Sequence, residues 1–299
     1  MTIEHVTVFG GTGFLGRRIV RRLTDARLTA RIACRNPQAA AETAPAQEIE
    51  TVAADIRRPE QVAEAIQGSD AAVNAVSLYA ESARVRFDAV HVAGAETLAR
   101  ACSAAGLQRL VHVSGIGSDP ASESLYIRCR GVGERRVRDA FDGSVIVRPS
   151  VMFGEGDAFL SQLADLLRRV PAMPLFGTGE TRLQPVCADD VAEGICRILI
   201  SAEAPQAVYE FAGPKVYSYT ELLRAVMEIT GHRRPLIPFP FALWDMTAAA
   251  AAILPSPPIA RSQVDLMRAD TLPSGDWPGL EALGVTPTDM EAAARAYLR

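Results

Sequence analysis

A glycine-rich segment near the start of the chain has the spacing of a phosphate-binding turn. Residues 10–16 read Gly-Gly-Thr-Gly-Phe-Leu-Gly, between the apolar stretch His5–Phe9 and a helical pattern that begins at Phe14. Such glycines let a pyrophosphate approach bare backbone, while free N–H groups of the following helix attract the phosphates. We therefore predict a dinucleotide site; the alternative is a turn that is merely tight. The residues expected around the phosphates are Gly10, Thr12, Gly13, Phe14, Leu15, Gly16 and Arg17.

The end of the second predicted strand bears on which dinucleotide would bind. NAD-binding proteins with such a turn place an acid about 20 residues after the glycines, where it holds the ribose 2′-hydroxyl. Here the stretch is Ala33-Cys34-Arg35-Asn36, without an acid. An arginine fork at Arg35 suits a 2′-phosphate better than a neutral diol. The sequence therefore favours NADP(H) over NAD(H), although an arginine-rich chain places some arginines at any position by composition alone.

Two further strand ends are predicted to reach the dinucleotide. Asp55 and Ile56 follow the third predicted strand, where a carboxylate can accept a hydrogen bond from the adenine amino group. The alternative for Asp55 is an acid at the start of a helix. Asn74, Ala75 and Val76 end the fourth predicted strand and are expected to pass beneath the cofactor.

The chain contains one lysine, Lys215, and this excludes several kinds of chemistry. A P-loop needs a lysine directly after its last glycine, and a Schiff-base enzyme needs a lysine desolvated in a pocket. The five cysteines form no CxxC pair and the four histidines have no HExxH spacing, so we expect neither a disulfide framework nor a metal site. The net charge of −4 provides no basic field for nucleic acid.

The apolar segments predict no transmembrane helix. Met1 leads almost at once into a strand pattern, so no signal peptide is expected, and no run of 18 apolar residues exists. Together with reduced thiols, these patterns predict a cytoplasmic protein. Residues 238–254 are strongly apolar with one acid, Asp245. They predict either a buried helix or an exposed docking or interfacial helix.

Strand and helix patterns alternate through the first half of the chain. The predicted strands are residues 5–9, 29–34, 49–53, 71–76, 110–113 and 145–147. Helices are predicted from residue 14 and over 59–67, 84–105 and 124–141. Repeated β-α-β units with nearly continuous apolar strands predict the α/β class, with a Rossmann-type doubly wound parallel sheet.

After Pro149 glycines, prolines and short elements become more frequent. We predict a dinucleotide-binding domain over residues 1–150, completed by segments within 183–213, and a smaller C-terminal substrate or docking lobe over 151–299. A strand over 208–211 is expected to return to the sheet. Helices of this half are predicted over 158–169, 188–200, 220–230, 240–253 and 289–298.

Together these residues resemble the short-chain dehydrogenase/reductase superfamily in its extended or atypical branch. Residues 126–157 and 174–192 are similar, more specifically, to the NADPH-containing accessory subunit of respiratory complex I and its NAD-dependent epimerase/dehydratase-like bacterial relatives. The similarity runs from Val6 to about Pro240 and continues more weakly beyond. It implies NADP(H) on the Rossmann half, and docking beside the quinone-reducing region of a respiratory NADH:quinone oxidoreductase, where the nucleotide is structural.

The same resemblance implies a catalytic pattern that this chain matches incompletely. Active members carry Tyr-x-x-x-Lys after the fifth strand, and the positions here are Tyr126 and Arg130. The lysine charge lowers the phenol pKa from about 10 and holds the nicotinamide ribose, whereas arginine keeps the charge but releases no proton. Ser114 would be the third catalytic group, or a serine that caps backbone. Pro149 and Ser150 would lie near the nicotinamide.

Three functions remain open on the sequence. The leading hypothesis is an accessory or assembly component of complex I with a structural NADP(H), peripheral on the cytoplasmic side of the inner membrane and in contact with the membrane arm. An alternative is a free-standing oxidoreductase or sugar-nucleotide epimerase that acts on a small carbonyl substrate through Tyr126. A third is a sensor that reports the NADPH/NADP⁺ ratio to a partner protein.

Overall fold

The computed structural model describes residues 2–38, 49–82, 84–202, 205–251 and 261–298. These residues form two units, and the chain enters each unit more than once. The first unit comprises Met1–Pro149, Ala188–Phe211 and Gly275–Thr286. The second unit comprises Ser150–Cys187, Ala212–Ser274 and Pro287–Arg299.

The strands of the described residues are numbered here in chain order. They are β1 (His5–Phe9), β2 (Thr29–Cys34), β3 (Glu50–Ala53), β4 (Ala71–Asn74), β5 (Arg109–Val113), β6 (Ser144–Pro149), β7 (Met152–Phe153), β8 (Met173–Phe176), β9 (Arg182–Leu183), β10 (Val186–Cys187), β11 (Val208–Phe211), β12 (Tyr217–Ser218) and β13 (Leu236–Phe239). The predicted strands of the first half are all present, whereas the short strands β7–β10, β12 and β13 were not predicted.

Most helices follow the predicted positions. They are α1 (Phe14–Asp25), α2 (Pro59–Ala65), α3 (Ala95–Ala105), α4 (Leu125–Ala140), α5 (Phe159–Arg169), α6 (Ala188–Ile200), α7 (Tyr219–Thr230), α8 (Phe241–Ala251), α9 (Arg261–Leu266) and α10 (Met290–Ala294). Helix α9 was not predicted as a separate helix, and the helix predicted over 289–298 ends at Ala294. The helix predicted over 84–105 is wrong in its first part. There the chain forms the π-helix Asp88–Gly94, which leads directly into α3.

Seven strands form the sheet of the first unit, in the order β11-β6-β5-β4-β1-β2-β3. Every neighbouring pair is parallel, so the predicted Rossmann-type doubly wound sheet is confirmed. The chain order runs outward in opposite directions from the neighbours β1 and β4. In open sheets of this kind, ligands bind beyond the carboxyl ends of the strands where the order reverses. The residues after β1 and β4 are therefore where a site is expected.

Helix α1 forms after β1 because its apolar side chains recur on one face. Leu15, Ile19 and Leu23 are buried, while Arg17 and Arg21 on the other side are exposed. Burial of each large apolar side chain contributes roughly 1.5–3 kcal/mol. This packing holds the first turn of α1, and with it the glycine turn, beyond the carboxyl end of β1.

Helix α4 contains two interior glycines, Gly131 and Gly133, at positions where glycine costs about 1 kcal/mol relative to alanine. Close packing explains both. A Cβ on Gly131 would lie 2.3 Å from the backbone nitrogen of Pro120, and a Cβ on Gly133 would lie 1.9 Å from the carbonyl oxygen of His91. The π-helix therefore lies directly against α4, and this contact determines which side chains meet between them.

The second unit has an apolar core of its own. Helices α5 and α7 contribute Leu160, Leu167, Leu222 and Val226 to it. Strand β13 pairs in parallel with β8 and leads into α8. Helix α8 corresponds to the helix predicted over 240–253, of which residues 252 and 253 lie outside the described residues.

Helix α8 is apolar yet largely exposed. Only Ala248 of this helix is buried, while Trp244 packs inward and stacks on Phe176 with ring centroids 4.5 Å apart. Of the two alternatives for this segment, the exposed helix is the one found over Phe241–Ala251. The exposed apolar residues, called here the α8 face, are Ala242, Leu243, Met246, Ala249 and Ala250. Among the described residues, no helix is both long enough and apolar enough to cross a bilayer.

Candidate functional site

The glycine turn after β1 is closed by its own backbone. The N–H of Gly13 donates to the carbonyl of Gly10 at 2.9 Å, and the N–H of Gly10 donates to Ala33 on β2 at 3.2 Å. Gly10 has φ +80°, a conformation that favours glycine. A Cβ on Gly10 would lie 2.8 Å from the carbonyl oxygen of Ala75, and one on Gly16 would lie 2.0 Å from that of Gly10. Backbone packing therefore requires these glycines and brings the ends of β1 and β4 together.

The first turn of α1 is open to an anion. Its N-cap, Gly13, offers no side chain to the helix N–H groups, and the first turn contains no acid. Uncapped N–H groups at a helix N-terminus carry the positive end of the helix dipole. Arg17 is exposed and donates to the carbonyl of Thr12 at 3.2 Å, whereas Arg18 is paired with Asp189 at 3.1 Å. The turn thus fits a phosphate group. Arg17 bonds a neutral carbonyl, whereas Arg18 is paired with a carboxylate, so Arg17 is the better placed of the two to bind a phosphate.

Arg35 and Asp55 lie beyond the carboxyl ends of β2 and β3. Arg57 donates to both carboxylate oxygens of Asp55, at 2.9 and 2.5 Å. This hydrogen bond is the main cause that lowers the pKa of Asp55 to about 2, and the charge of the exposed Arg35 contributes. Asp55 is therefore held in a local ion pair, and a ligand amino group would have to share it with Arg57.

Asn74 and His112 form a buried pair across β4 and β5. The side-chain oxygen of Asn74 accepts from the N–H of Val76 at 3.2 Å, so its amide nitrogen donates to Nδ1 of His112 at 3.0 Å. That donation requires a neutral imidazole. Burial, assisted by the charge of Arg130, lowers the pKa of His112 to about 3. Asn74 thus holds the backbone that follows β4, which is the segment predicted to pass beneath a cofactor.

Two predicted cofactor contacts have their side chains in the apolar core. Leu15 and Ile56 are 6% and 4% exposed, so only their backbone atoms are available to a ligand. The predicted contacts with half-buried side chains are Thr12, Phe14, Ala75 and Val76.

Tyr126 and Arg130 face each other one turn apart on α4. Nη1 of Arg130 donates to the phenol oxygen of Tyr126 at 2.5 Å, and the guanidinium carbon lies 5.4 Å from the centre of the ring. The guanidinium also lies against Gly115, where a Cβ would come within 3.2 Å of it. The positive charge is therefore applied directly to the phenol oxygen, at the position where the resemblance implies a lysine in active members.

One hydrogen-bond donor of Arg130 is not satisfied by the described residues. Nε of Arg130 is buried and has no hydrogen-bond partner in the part of the protein that the structure describes. Buried polar groups nearly always have a partner, so an acceptor oxygen from a ligand would satisfy this one. Together with the open helix N-terminus after β1, the orphaned donor fits a ligand that carries both phosphates and hydroxyl oxygens, as a nicotinamide dinucleotide does.

Three aromatic rings surround Tyr126, and sequence reasoning assigned none of them to the site. Phe87 and His91 meet the phenol ring edge-on, with centroids 5.3 and 5.7 Å away. Tyr79 lies 6.1 Å away with its ring plane inclined by 33°. We call Tyr79, Phe87, His91, Tyr126 and Arg130 the phenol cluster. Tyr79 lies in the loop after β4, and Phe87 directly precedes the π-helix that contains His91. Tyr126 and Arg130 lie on α4.

His91 links the π-helix to the loop after β4. Its Nε2 lies 3.0 Å from the carbonyl oxygen of Leu78 and 3.3 Å from the backbone nitrogen of the same residue. Burial and the charge of Arg130 lower the pKa of His91 to about 4, so the ring is neutral near pH 7. One tautomer donates to the carbonyl and the other accepts from the N–H. In both cases Leu78, directly before Tyr79, is fixed.

Ser114 is buried at the end of β5 and bonded within its own loop. Its hydroxyl lies 3.0 Å from that of Ser118, and Ser118 donates to the carbonyl of Gly115 at 2.8 Å. Because the proton of Ser118 is directed at that carbonyl, Ser114 is the donor between the two hydroxyls. The recorded side-chain partner of Ser114 is therefore Ser118, and its predicted action on Tyr126 stays a prediction.

Pro149 ends the first segment of the first unit, and Ser150 begins the first segment of the second unit. The carbonyl of Pro149 accepts from the N–H of Ile116 at 3.1 Å. The hydroxyl of Ser150 donates to the carbonyl of Thr271, a residue of the second unit, at 3.4 Å. Both remain predicted contacts of the nicotinamide.

A buried ionic network holds α4 on the sheet. Arg148 on β6 donates to Glu134 on α4 at 2.6 Å and to Glu210 on β11 at 3.3 Å. The glutamates are 5% and 4% exposed. Removal of one partner of such a network costs roughly 3–5 kcal/mol, because it leaves a buried charge uncompensated. Since Glu134 lies one turn after Arg130, this network also fixes the position of the phenol cluster.

No group of three or more His, Cys, Asp or Glu side chains among the described residues could hold a metal ion.

Comparison with known proteins places the glycine turn and the first part of α4 within one family match. Residues 10–134 match a family model described as NAD(P)H-binding. The chain is 30% identical to NADH dehydrogenase (ubiquinone) 1 alpha subcomplex subunit 9, mitochondrial, of Rattus norvegicus, over 98% of this chain and 79% of that protein. It is 28% identical to the ceramide reductase of Caulobacter vibrioides, over 79% of this chain and 73% of that protein.

A solved structure with the same fold is the UDP-glucose 4-epimerase of Thermus thermophilus in complex with NAD. The two structures align with a TM-score of 0.74 and 20% identity, over 98% of this chain and 97% of the epimerase. At this level of identity the likeness shows the fold alone.

Proposed function

Because this chain belongs to the family of NADH dehydrogenase (ubiquinone) 1 alpha subcomplex subunit 9 and matches an NAD(P)H-binding family model over residues 10–134, we propose that it holds NADP(H) as a structural group. We further propose that it serves as an accessory or assembly component of a respiratory NADH:quinone oxidoreductase. The observation that carries the proposal is the pair Tyr126–Arg130, in which an arginine bonds the phenol oxygen.

The Tyr126–Arg130 pair is better suited to binding than to proton transfer. Arginine remains charged at every physiological pH, so it can hold an oxygen but cannot release a proton into a relay. The phenol is 2% exposed, which limits its exchange of protons with solvent. A bound nicotinamide dinucleotide supplies hydride chemistry, but these residues supply no evident path for the accompanying proton. A nucleotide that stabilises the fold fits this arrangement.

Residues along the site would hold the two ends of the nucleotide. Gly10, Gly13 and the first turn of α1 would bind the phosphates, and the orphaned Nε of Arg130 would bind a hydroxyl oxygen. Arg35 is exposed beyond β2, and the stretch Ala33–Asn36 at that strand end contains no acid to hold a ribose diol. This supports NADP(H) over NAD(H), since a guanidinium pairs more strongly with a phosphate than with a hydroxyl. Arg17 would assist Arg35.

The α8 face supports a peripheral position on such a complex. The one acid of helix α8, Asp245, is paired with Arg268 at 2.6 Å, so its charge beside the face is compensated. Beside it on β13, Ile237 is 50% exposed. Exposed apolar surface of this kind marks a site of contact with a protein or membrane. We propose that this face meets the membrane arm of the oxidoreductase.

The proposal is tested in the organism that carries the chain. The NADH:quinone oxidoreductase is purified from the parent strain and from a deletion strain, and the chain, the assembled complex and the bound nucleotide are quantified. We expect the chain to co-purify, the deletion to lower the amount of assembled complex, and the nucleotide to be NADP(H) that persists through dialysis. Normal assembly in the deletion strain, with a complex that lacks the chain, would refute it.

A second candidate function is a free-standing NADP(H)-dependent oxidoreductase or epimerase. It is favoured by the retention of Tyr126 with a cation on its oxygen and by the similarity to a ceramide reductase. In this reading Tyr126 would donate a proton to the carbonyl oxygen of a small substrate, and Arg130 would offset the charge left on the phenol.

A carbonyl-reduction assay tests this second candidate. NADPH oxidation is followed with a panel of carbonyl substrates for the parent chain, Tyr126→Phe and Arg130→Lys. Turnover that is lost in Tyr126→Phe while nucleotide binding persists would establish an enzyme. Turnover that appears only in Arg130→Lys would show that the parent chain lacks only the lysine needed for proton transfer. Absence of turnover in all three favours the structural nucleotide.

A further inference from the structure

Tyr79 is the exposed member of the phenol cluster. Its side chain is 55% exposed, whereas Tyr126 is 2% and His91 is 6% exposed. A single exposed aromatic residue is common on protein surfaces and indicates nothing by itself. Tyr79 differs from such residues because its ring lies 6.1 Å from the buried ring of Tyr126, whose phenol oxygen accepts from Arg130, beyond the carboxyl end of β4.

The backbone directly before Tyr79 is held by hydrogen bonding without a ligand. Its neighbour Leu78 is bonded to Nε2 of His91, at 3.0 Å through the carbonyl oxygen. The π-helix that carries His91 is in turn pressed against Gly133 of α4. A residue whose preceding backbone is held in this way loses less freedom when it meets a ligand, which favours binding.

The segment that carries Tyr79 begins in close contact with the glycine turn. The carbonyl of Ala75 lies so close to Gly10 that a Cβ there would be 2.8 Å away. Four residues later the chain reaches Tyr79, against the Tyr126 ring. Residues 75–79 thus connect the turn that would bind phosphates with the phenol cluster. Along a dinucleotide bound from the turn to the cluster, the nicotinamide is the group that follows the phosphates.

We propose that Tyr79 is a ligand-contact residue, and that the nicotinamide end of NADP(H) packs on its ring. This inference rests on the proposed nucleotide binding. A phenol face is a flat surface with apolar and polar character, which suits a planar, partly polar ring. Because Tyr126 is almost completely covered, Tyr79 is the phenol of the cluster whose surface a ligand ring can cover.

The test compares two ligands that share one end. The full chain, stripped of endogenous nucleotide on charcoal, is titrated with NADPH and with 2′,5′-ADP, which has the 2′-phosphate and adenine but no nicotinamide. Tyr79→Ala is expected to raise the Kd for NADPH about tenfold, the size of one aromatic–base stack, and to leave 2′,5′-ADP unchanged. Tyr79→Phe should bind both like the parent, because the ring makes the contact.

Leu166→Ala is the matched control, since Leu166 is 38% exposed on α5 of the second unit. It should change neither affinity. Equal weakening of both ligands by Tyr79→Ala, or unchanged NADPH binding, would overturn the role of Tyr79. A parent chain that binds neither ligand would refute the proposed nucleotide binding, and this inference with it. Should Tyr79→Ala fold poorly, weaker NADPH binding by Tyr79→Leu with intact 2′,5′-ADP binding supports the role, and unchanged binding refutes it.

Discussion

At the level of single residues, Arg130 places a positive charge on a phenol oxygen through a group that releases no proton. Its guanidinium still bonds the phenol oxygen of Tyr126, as a lysine ammonium could. An ammonium, however, can lose a proton when its pKa is lowered, and a guanidinium in a protein does not. The one lysine of the sequence, Lys215, is paired with Glu291 at 2.7 Å.

A first prediction concerns Arg35 and cofactor choice. Arg35→Ala is expected to weaken NADPH binding about tenfold or more, since a hydrogen bond to a charged group is worth about 1.5–3 kcal/mol, and to leave NADH binding unchanged. Fluorescence titration with each nucleotide measures both. Arg100→Ala is the control, because Arg100 is an exposed arginine paired with Glu96 on α3. Equal losses for the two nucleotides would show that Arg35 does not contact a 2′-phosphate.

At the level of secondary-structure elements, the contact between the π-helix and α4 organises the phenol cluster. Gly133 allows the carbonyl of His91 to approach α4, and His91 then meets Tyr126 edge-on. Alanine at this position would improve the helix propensity of α4 and still be harmful.

Gly133→Ala is therefore predicted to lower the free energy of unfolding by about 2 kcal/mol, because overpacking outweighs a gain of about 1 kcal/mol in helix propensity. Urea unfolding measures this change. Ser103→Ala, at an exposed position of α3, should be close to neutral. If Gly133→Ala stabilised the protein, the close approach of the π-helix would be refuted.

The pattern of apolar residues predicted the strands of the first unit and most helices, but not this contact. Phe87 and Val90, within the helix predicted over 84–105, are buried. A π-helical turn holds extra residues per turn, which changes the side chains that face α4, and no count of apolar spacing reveals it. His91 therefore looked like one of four scattered histidines. Tyr126 and Arg130 were predictable because their spacing lies within one helix.

The α8 face gives a second prediction for a single element. Met246 is 68% exposed, and Met246→Asp is expected to lower co-purification with the oxidoreductase at least tenfold, because burial of one such side chain contributes roughly 2 kcal/mol. Pull-down from membranes measures the effect. Leu166→Asp on α5 serves as the control, at an exposed apolar position outside the face. Unchanged recovery of the Met246 variant would mean that α8 does not make the contact.

At the level of the whole molecule, the pattern of apolar residues was sufficient to predict the fold. The partners of the buried polar residues could be identified only in the structure. Arg148, Glu134 and Glu210 are far apart in sequence and join α4 to two strands. Nothing in their local sequence distinguishes them from solvated charges. The same holds for His91 and His112, whose neutral state is imposed by burial.

These two histidines predict how stability depends on pH. Their folded pKa values, about 4 and about 3, lie below the ordinary value of 6.5. The unfolded chain therefore binds protons that the folded chain does not. The free energy of unfolding should fall as the pH drops below about 6.5, by about 1 kcal/mol per histidine at pH 5.5. Asp55, with a pKa of about 2, adds to the loss only below about pH 4.

Urea unfolding at pH 7.5 and pH 5.5 measures this dependence. The loss between the two values should be smaller in His91→Gln than in the parent chain. His5→Gln, at an exposed position, is the control and should show the full loss. A parent chain equally stable at both values would show that neither buried histidine gains a proton on unfolding.

The pairing of Lys215 with Glu291 has a practical consequence for work with this protein. Lys215 carries the only side-chain amine of the sequence, and its side chain is 56% exposed. An amine-specific dye or cross-linker would therefore mark one defined side chain, and molecules tethered through it would share one orientation. The hydrogen bond from Lys215 to Glu291 raises the pKa of the amine, so coupling would proceed best in alkaline buffer.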